Sequence, residues 1–478
     1  MPTKFRPSSD PFDTSPDYEP VNYDGRFHGP VLVRDALANS YNIPAVKALE
    51  YVGIYDDPNT AQQDGFINFA RRLGITSLNR PDYGLSLTLG GGEVSLLELT
   101  GAFQVIANEG RKISPVAITK VVDHQGNVLF EYQPPAGDQV VRSAHAYLIN
   151  SILSDPVARA PMFGYNSILN LPFPAAAKTG TTNDFRDNWT VGYTPDLVVG
   201  VWVGNADYSP MVNTTGVEGA APIWAQIMQA GINRYRGGVA TPFARPSDVV
   251  DYTICMVSGA QPSEYCPSHK TEIFASDQPP LPQDQDLWLR TSIDSWTNLQ
   301  ASPACSEFVK EALTINVEDK SAIEWLGTQP GRAWANNNGF PDPLVIKPER
   351  ECRLDDPRPI IELVGVSDNT VIRENPFIIA GVIDATANFN QFKLHWGRGS
   401  DPSEWFPLTP DWITTPITSA AEILSWDMED IDVDVITLRV TLHSTINTEV
   451  QKKWVLRLEI PTPTPTQTPT ATMTPTVT

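Results

Sequence analysis

Ala176-Ala177-Lys178-Thr179-Gly180-Thr181 begins small and apolar and ends in a lysine, two hydroxyls and a glycine. A buried strand that meets solvent at such residues can grip a carboxylate. Lys178 supplies the charge, Thr179 and Thr181 the hydroxyls, and Gly180 leaves no side chain between strand and ligand. An extended peptide could then lie alongside as an added strand, with the Thr181 amide aimed where an oxyanion forms. Acyl transfer from a peptide ending in a free carboxylate also needs a nucleophile and a base. Ser40-Tyr41-Asn42 offers a hydroxyl able to relay a proton, and a carboxamide able to hold a substrate carbonyl and orient a lysine. Both groups also have plainer readings: a surface turn at Lys178-Thr179-Gly180, and helix caps at Ser40 and Asn42.

These residues need a frame. Val31, Val33, Ala36, Leu37 and Ser40 mark one helix, and Pro44 and Gly53 bracket a second, Ala45 to Val52. Ser40-Tyr41-Asn42 therefore sits between two helices. A third helix over 64–73 closes at Gly74, Leu87 to Gly92 is a glycine-rich turn, and Ser95-Leu96-Leu97-Glu98 is a capping box opening a helix to Ala107. Alternation on both sides of His124-Gln125-Gly126-Asn127 predicts a hairpin over 115–133, and 143–154 returns to helix. The Lys178 strand, strand-like runs at 188–193 and 197–203 and a helix at 222–233 then complete one antiparallel sheet with helices on its faces. The fold class expected for residues 1–245 is α+β. Residues 246–358 read as irregular Cys- and Pro-rich connecting structure with short helices, 305–313 among them. Alternating runs at 359–364, 376–383, 391–396, 435–442 and 453–459 predict an all-β sandwich module over 359–460. Pro461 to Thr478 is a Pro-Thr repeat, expected as polyproline II or disordered.

The 478 residues, 41% of them apolar, suffice for two or three cores. With 34 basic against 56 acidic residues the net charge is -22, the wrong sign for nucleic acid as a partner. No run of about 18 apolar residues marks a membrane span, and Met1 to Asp10 has no apolar stretch of the kind an export signal needs. Cys255 and Cys266 are close enough for a disulfide in an oxidising compartment, or are unpaired buried thiols; Cys305 and Cys352 lie farther apart. Without CxxC spacing, and with His269 standing alone, no metal or other cofactor is expected.

Several ordered blocks carry a family resemblance: Asn22-Tyr23-Asp24-Gly25, Phe27-His28-Gly29-Pro30, Ala36 to Lys47, Leu89 to Ser95, Ala177 to Thr181 and Asp187 to Pro195. Over about residues 10–240 the chain resembles the transpeptidase domain of class A penicillin-binding proteins. The resemblance implies a serine β-lactamase/transpeptidase-like fold and D,D-transpeptidation in cell-wall cross-linking. It also implies peptidoglycan stem peptides ending in D-Ala-D-Ala and β-lactams as partners, and a place on the outer face of the cytoplasmic membrane. Ser40 and Asn42 become the second motif; Lys178, Thr179, Gly180 and Thr181 become the third. Ser40, Asn42 and Lys178 are then catalytic, and Lys178 to Thr181 bind substrate. The family's nucleophile and its lysine lie in a Ser-x-x-Lys motif, whereas no serine in this chain has a lysine three residues on. The domain is therefore expected to be incomplete at its N-terminus, without the glycosyltransferase region and membrane anchor of class A proteins, and inactive as an isolated chain. The alternative is a non-catalytic envelope protein that binds peptidoglycan or surface ligands through the groove or the sandwich.

Other residues invite chemistry less specifically. His28 is an acid–base candidate or a structural hydrogen-bonder. Asp184 and Asp187 are paired carboxylates or turn residues, and Arg186 and Trp189 would shape the cleft rim. Trp396, Trp405, Trp412 and Trp426 either fill the sandwich core or present a sugar-stacking platform.

Overall fold

A computed structural model describes residues 3–6, 16–57, 59, 65–182, 185–212 and 214–460. Asp184 and the Pro-Thr repeat lie outside the described residues. The chain divides into two compact units: the described residues of Met1–Leu289 with Ile315–Leu344, and those of Arg290–Thr314 with Val345–Thr478. Residues 246–358 contribute to both.

In the first unit, α1 (Val33–Ala38) and α2 (Asn42–Val52) are joined by Asn39, Ser40 and Tyr41. Ser40 thus lies outside the helix it was expected to mark. Helix α2 begins three residues earlier than its sequence pattern suggests. Tyr41 offers no side-chain cap, but the Asn22 side-chain oxygen accepts from the amides of Asn42 (3.0 Å) and Ile43 (3.3 Å), satisfying donors every helix start leaves open. Helix α3 (Phe66–Leu73) ends at Gly74 with φ of 108°, the left-handed geometry glycine suits. In α4 (Leu96–Ala107) Ser95 Oγ accepts from the Glu98 amide at 3.1 Å, so half of the capping box forms. The Glu98 carboxylate turns instead to the Ser77 and Thr76 hydroxyls and the Thr76 amide, which together hold its carboxyl down to about 2. Helices α5 (Ser143–Leu153) and α6 (Pro156–Phe163) follow; Pro161 inside α6 hides that helix from a search for periodicity.

The strands Ala176–Thr181, Asp187–Thr194 and Leu197–Gly204 form an antiparallel sheet in that order, with the Lys178 strand at an edge. Helix α7 (Ala220–Arg236) covers one face through Ala220, Trp224 and Met228 against Ala177, Val199 and Val201. Its approach requires Gly192, where a Cβ would fall 2.4 Å from the Trp224 indole. Helices α4 and α5 cover the other face, packing Phe103, Ala107 and Leu153 on Ala176 and Tyr193. The expected α+β layering is therefore present. The predicted hairpin also forms, from Lys120–Val122 and Val128–Glu131, both exposed. Beyond residue 245 the chain is more regular than expected. Val249–Cys255 pairs with His269–Ala275, Cys255 is bonded to Cys266, and α8 (Lys320–Leu326) and α9 (Gln329–Asn337) follow.

The second unit is a sandwich. Pro359–Leu363, Phe377–Ala385 and Ile417–Trp426 make one sheet; Thr370–Ile372, Glu449–Leu458, Val435–Ser444, Phe389–Arg398 and Phe406–Pro407 make the other. Ile379, Ile383, Phe392, Leu394, Leu438 and Val440 fill the space between them. Ile417–Trp426 escapes a sequence reading because most of its residues are exposed and it lies at a sheet edge. Residues 305–313 are not a helix: Val309–Ile315 is a strand paired with Trp288–Asp294. A sheet partner outweighs a modest helix propensity there. Cys305 is bonded to Cys352. Among the described residues no helix is long and apolar enough to cross a membrane.

Candidate active site

Lys178 and Ser40, 138 residues apart, meet at one end of the sheet. Side chains alternate along a strand, so Lys178 leaves the sheet on the Ala176 side, away from α7. Its Nζ donates to Ser40 Oγ at 2.6 Å and to the Thr179 carbonyl at 2.8 Å. Burial pushes the ammonium down to about 8, and no carboxylate among the described residues offsets it.

The position of Ser40 is built by its neighbours. The Tyr41 amide donates to the Ala36 carbonyl and the Ser40 amide to the Leu37 carbonyl, the crossed pair that ends a helix around one left-handed residue. That residue is usually glycine. Here it is Ser40, at φ 59°, a conformation that costs a side chain energy and persists only when the surroundings impose it. Buried Asn39 imposes it by donating to the Asp35 and Ala158 carbonyls and accepting from the Met162 amide. Arg34 pins the same helix with two hydrogen bonds to Glu272 (2.7 and 2.6 Å) and others to Ser151.

Among the described residues no strand neighbours the outer edge of the Lys178 strand. The Thr182 amide bonds inward to the Asp187 carbonyl; alternation then turns the Thr179 and Thr181 backbone groups toward the free edge. An extended peptide can pair there. Gly180 lies on the Lys178 face, where a Cβ would make only ordinary contact, 3.5 Å from Trp189 Cβ. The Thr179 and Thr181 side chains stand on the opposite face, and Thr181 Oγ accepts from the Gly216 amide at 3.0 Å.

Asn42 does not join Lys178. Its side-chain Nδ2 donates to the Val21 carbonyl at 2.7 Å, securing the segment that also supplies Asn22. His28 stacks on Tyr41 (4.1 Å) and bonds Asp24 at 3.0 Å, a structural arrangement. Asp187 accepts from the Trp202 indole at 2.9 Å, and Arg186 donates to the Tyr208 carbonyl at 2.7 Å. Two further glycines lie at the site, of which only Gly216 was not singled out from sequence. Gly216 presses on Gly180 and Trp189, and Gly90 lies beside Thr182. The glycine-rich turn over Leu87 to Gly92 pointed to Gly90; nothing local distinguished Gly216.

The family comparison agrees with this geometry. Residues 4–229 match the family described as penicillin binding protein transpeptidase domain, and residues 245–281 match penicillin-binding protein 1A, C-terminal domain. Residues 4–229 are a penicillin-binding-protein transpeptidase domain. This transpeptidase domain is similar to penicillin-binding protein 1A of Aquifex aeolicus, at 35% identity over 223 residues, 46% of this chain and 28% of that protein. The same protein of Neisseria meningitidis is 33% identical over 226 residues, 46% of this chain and 27% of its own length. The chain thus spans little more than a quarter of these relatives. The solved structure of penicillin-binding protein 1A from Haemophilus influenzae aligns with a TM-score of 0.50 at 23% identity, covering 59% of this chain and 45% of that one, and shares its fold.

Proposed function

We propose that the transpeptidase domain supplies the substrate-holding wall of a peptidoglycan D,D-transpeptidase, working outside the cytoplasmic membrane on stem peptides ending in D-Ala-D-Ala. The observation that carries this reading is the Lys178–Ser40 pair (2.6 Å) at a free strand edge. In the reaction a serine attacks the penultimate D-Ala carbonyl, the terminal D-Ala leaves, and an amine of a neighbouring stem peptide takes the acyl group. Lys178 holds the terminal carboxylate. Ser40, which accepts a hydrogen bond from Lys178, keeps its own proton to pass to the departing amine. The Thr181 amide stabilises the oxyanion, and Gly180 leaves room for the peptide to pair along the edge. β-Lactams occupy the same place.

No serine in these 478 residues precedes a lysine by three, so the nucleophile and its base are not among them. The chain by itself therefore binds substrate or penicillin without forming an acyl-enzyme. A fluorescent penicillin added to the purified protein is expected to bind reversibly and to be absent from the denatured chain. Lys178→Met should weaken that binding roughly 10–100-fold, as expected for loss of a charged hydrogen bond. Covalent retention on the denatured protein would overturn the inactivity. No binding by the native protein, or equal binding by the variant, would overturn the groove.

A further inference from the structure

The outward face of the five-stranded sheet in the sandwich carries a charge its module does not. Residues 359–460 hold 15 acidic and 7 basic side chains, a balance of -8. Yet the register of Phe389–Arg398, Val435–Ser444 and Glu449–Leu458 sets His395 opposite Arg439 and Arg439 opposite Lys453, with Lys393 and Arg457 on the same side. Glu449 is the carboxylate those three strands turn to this face, and His443 holds it at 2.8 Å. Like charges directly across a ladder oppose folding, and among the described residues neither Arg439 nor Lys453 has an ion-pair partner. Two of the module's five tryptophans lie here: Trp405 has the Arg439 guanidinium 4.0 Å and the Lys453 ammonium 5.3 Å from its ring, and Trp412 lies tilted against His443 with ring centroids 4.3 Å apart. Trp396 and Trp426 pack together with the core at 5.8 Å instead.

Between the two tryptophans the protein leaves polar atoms without hydrogen bonds. Among the described residues Thr441 Oγ, in a residue 4% exposed, has no hydrogen-bond partner, nor have His395 Nδ1 and Arg439 Nε, and all three atoms are closed off from solvent. Buried polar atoms are normally satisfied, so these three, on adjacent positions of one face, cost folding in the same place as the opposed cations. Arg439 and His443 are four residues apart on one strand, so the tryptophans flank about 13 Å of this face. Two aromatic rings beside unpaired cations match one chemistry, a polysaccharide with carboxylates on its rings.

We propose that this face binds a carboxylate-bearing glycan. Arg439 and Lys453 take the carboxylate, and Trp405 and Trp412 bound the strand of sugars. The proposal does not depend on the transpeptidase reading.

The test is isothermal titration of the 478-residue protein with polygalacturonate and with the same polymer fully methyl-esterified. The acidic polymer should bind, weakening with added salt, and the ester should bind at least about tenfold less well. Lys453→Gln, an exposed change, should lower affinity by about tenfold with an unchanged unfolding temperature; Trp405→Ala should do the same to affinity, and Lys120→Gln, on the exposed hairpin of the first unit, should not. No binding by the wild-type chain, equal affinity for the ester, or wild-type affinity in both Lys453→Gln and Trp405→Ala would overturn the proposal. So would binding to a linear polyphosphate but not to polygalacturonate.

Discussion

Lys178 carries its ammonium against Ser40 Oγ and the Thr179 carbonyl, neither of which bears a charge, and burial brings its pKa from 10.5 to about 8. The folded value is below the unfolded one, so between those pH values the unfolded chain binds the extra proton and stability rises with pH. Below pH 8 both states are charged and the penalty is full; above 10.5 it has gone. Lys178→Met should therefore stabilise the domain by about 1–3 kcal/mol at pH 7, after allowing for the lost hydrogen bonds. The advantage should shrink between pH 8 and 10.5 in a series of thermal melts. A constant advantage across that range, or a destabilised variant at pH 7, would contradict the assignment. Stability given up at Lys178, like the left-handed backbone of Ser40, is what a site shaped for ligand rather than for folding displays.

The edge strand and the Gly216 loop divide positioning from access. A Cβ on Gly216 would lie 2.7 Å from the Gly180 carbonyl oxygen and 2.8 Å from that of Trp189, while one on Gly180 meets only Trp189 Cβ at 3.5 Å. Gly216→Ala must lift its loop from the strand and lose the bonds to Thr181 and from Thr190, at about 1–3 kcal/mol. Gly180→Ala should leave stability within about 1 kcal/mol yet place a methyl where a peptide would run, weakening reversible penicillin binding by roughly tenfold. Denaturant melts and the binding titration together separate the two. If Gly180→Ala bound penicillin like the wild type, the strand edge would not be the ligand's track.

The two units each contain one disulfide, and the loops they close differ in length. Cys255–Cys266 spans 11 residues and Cys305–Cys352 spans 47. Loop-closure entropy assigns them about 3 and about 4 kcal/mol respectively. Reduction should destabilise both units, and the sandwich-bearing unit more. Scanning calorimetry with and without reductant, compared with a Cys305→Ala/Cys352→Ala double variant, reads this; an unchanged melting profile on reduction would contradict it. The acidic balance of -22 keeps the whole molecule away from polyanions in general. The cationic sheet face is a local exception, created by register rather than by composition.

Periodicity and short motifs made much of this legible before any coordinates. The run of helices, the Lys178 strand with its two partners, the closing helix, the hairpin and five sandwich strands all rest on contacts a few residues apart, which leave their period in the chain. The family resemblance rests on ordered blocks of the same local kind. What the chain could not display were choices among distant partners. Asn42 could face a lysine or a backbone carbonyl, and only the packed segment around Val21 turned it to the latter. Residues 305–313 had a helix's composition and found a strand beside them. The four tryptophans singled out, with no local difference, were divided, Trp396 and Trp426 to the core and Trp405 and Trp412 against Arg439 and His443, by which face of a sheet each reached. Most decisively, Lys178 and Ser40 share one hydrogen bond across 138 residues. The sequence by itself determined which groups exist and on which elements they ride; the tertiary structure decided which of them meet, because that depends on how layers stack and strands register rather than on any stretch of chain.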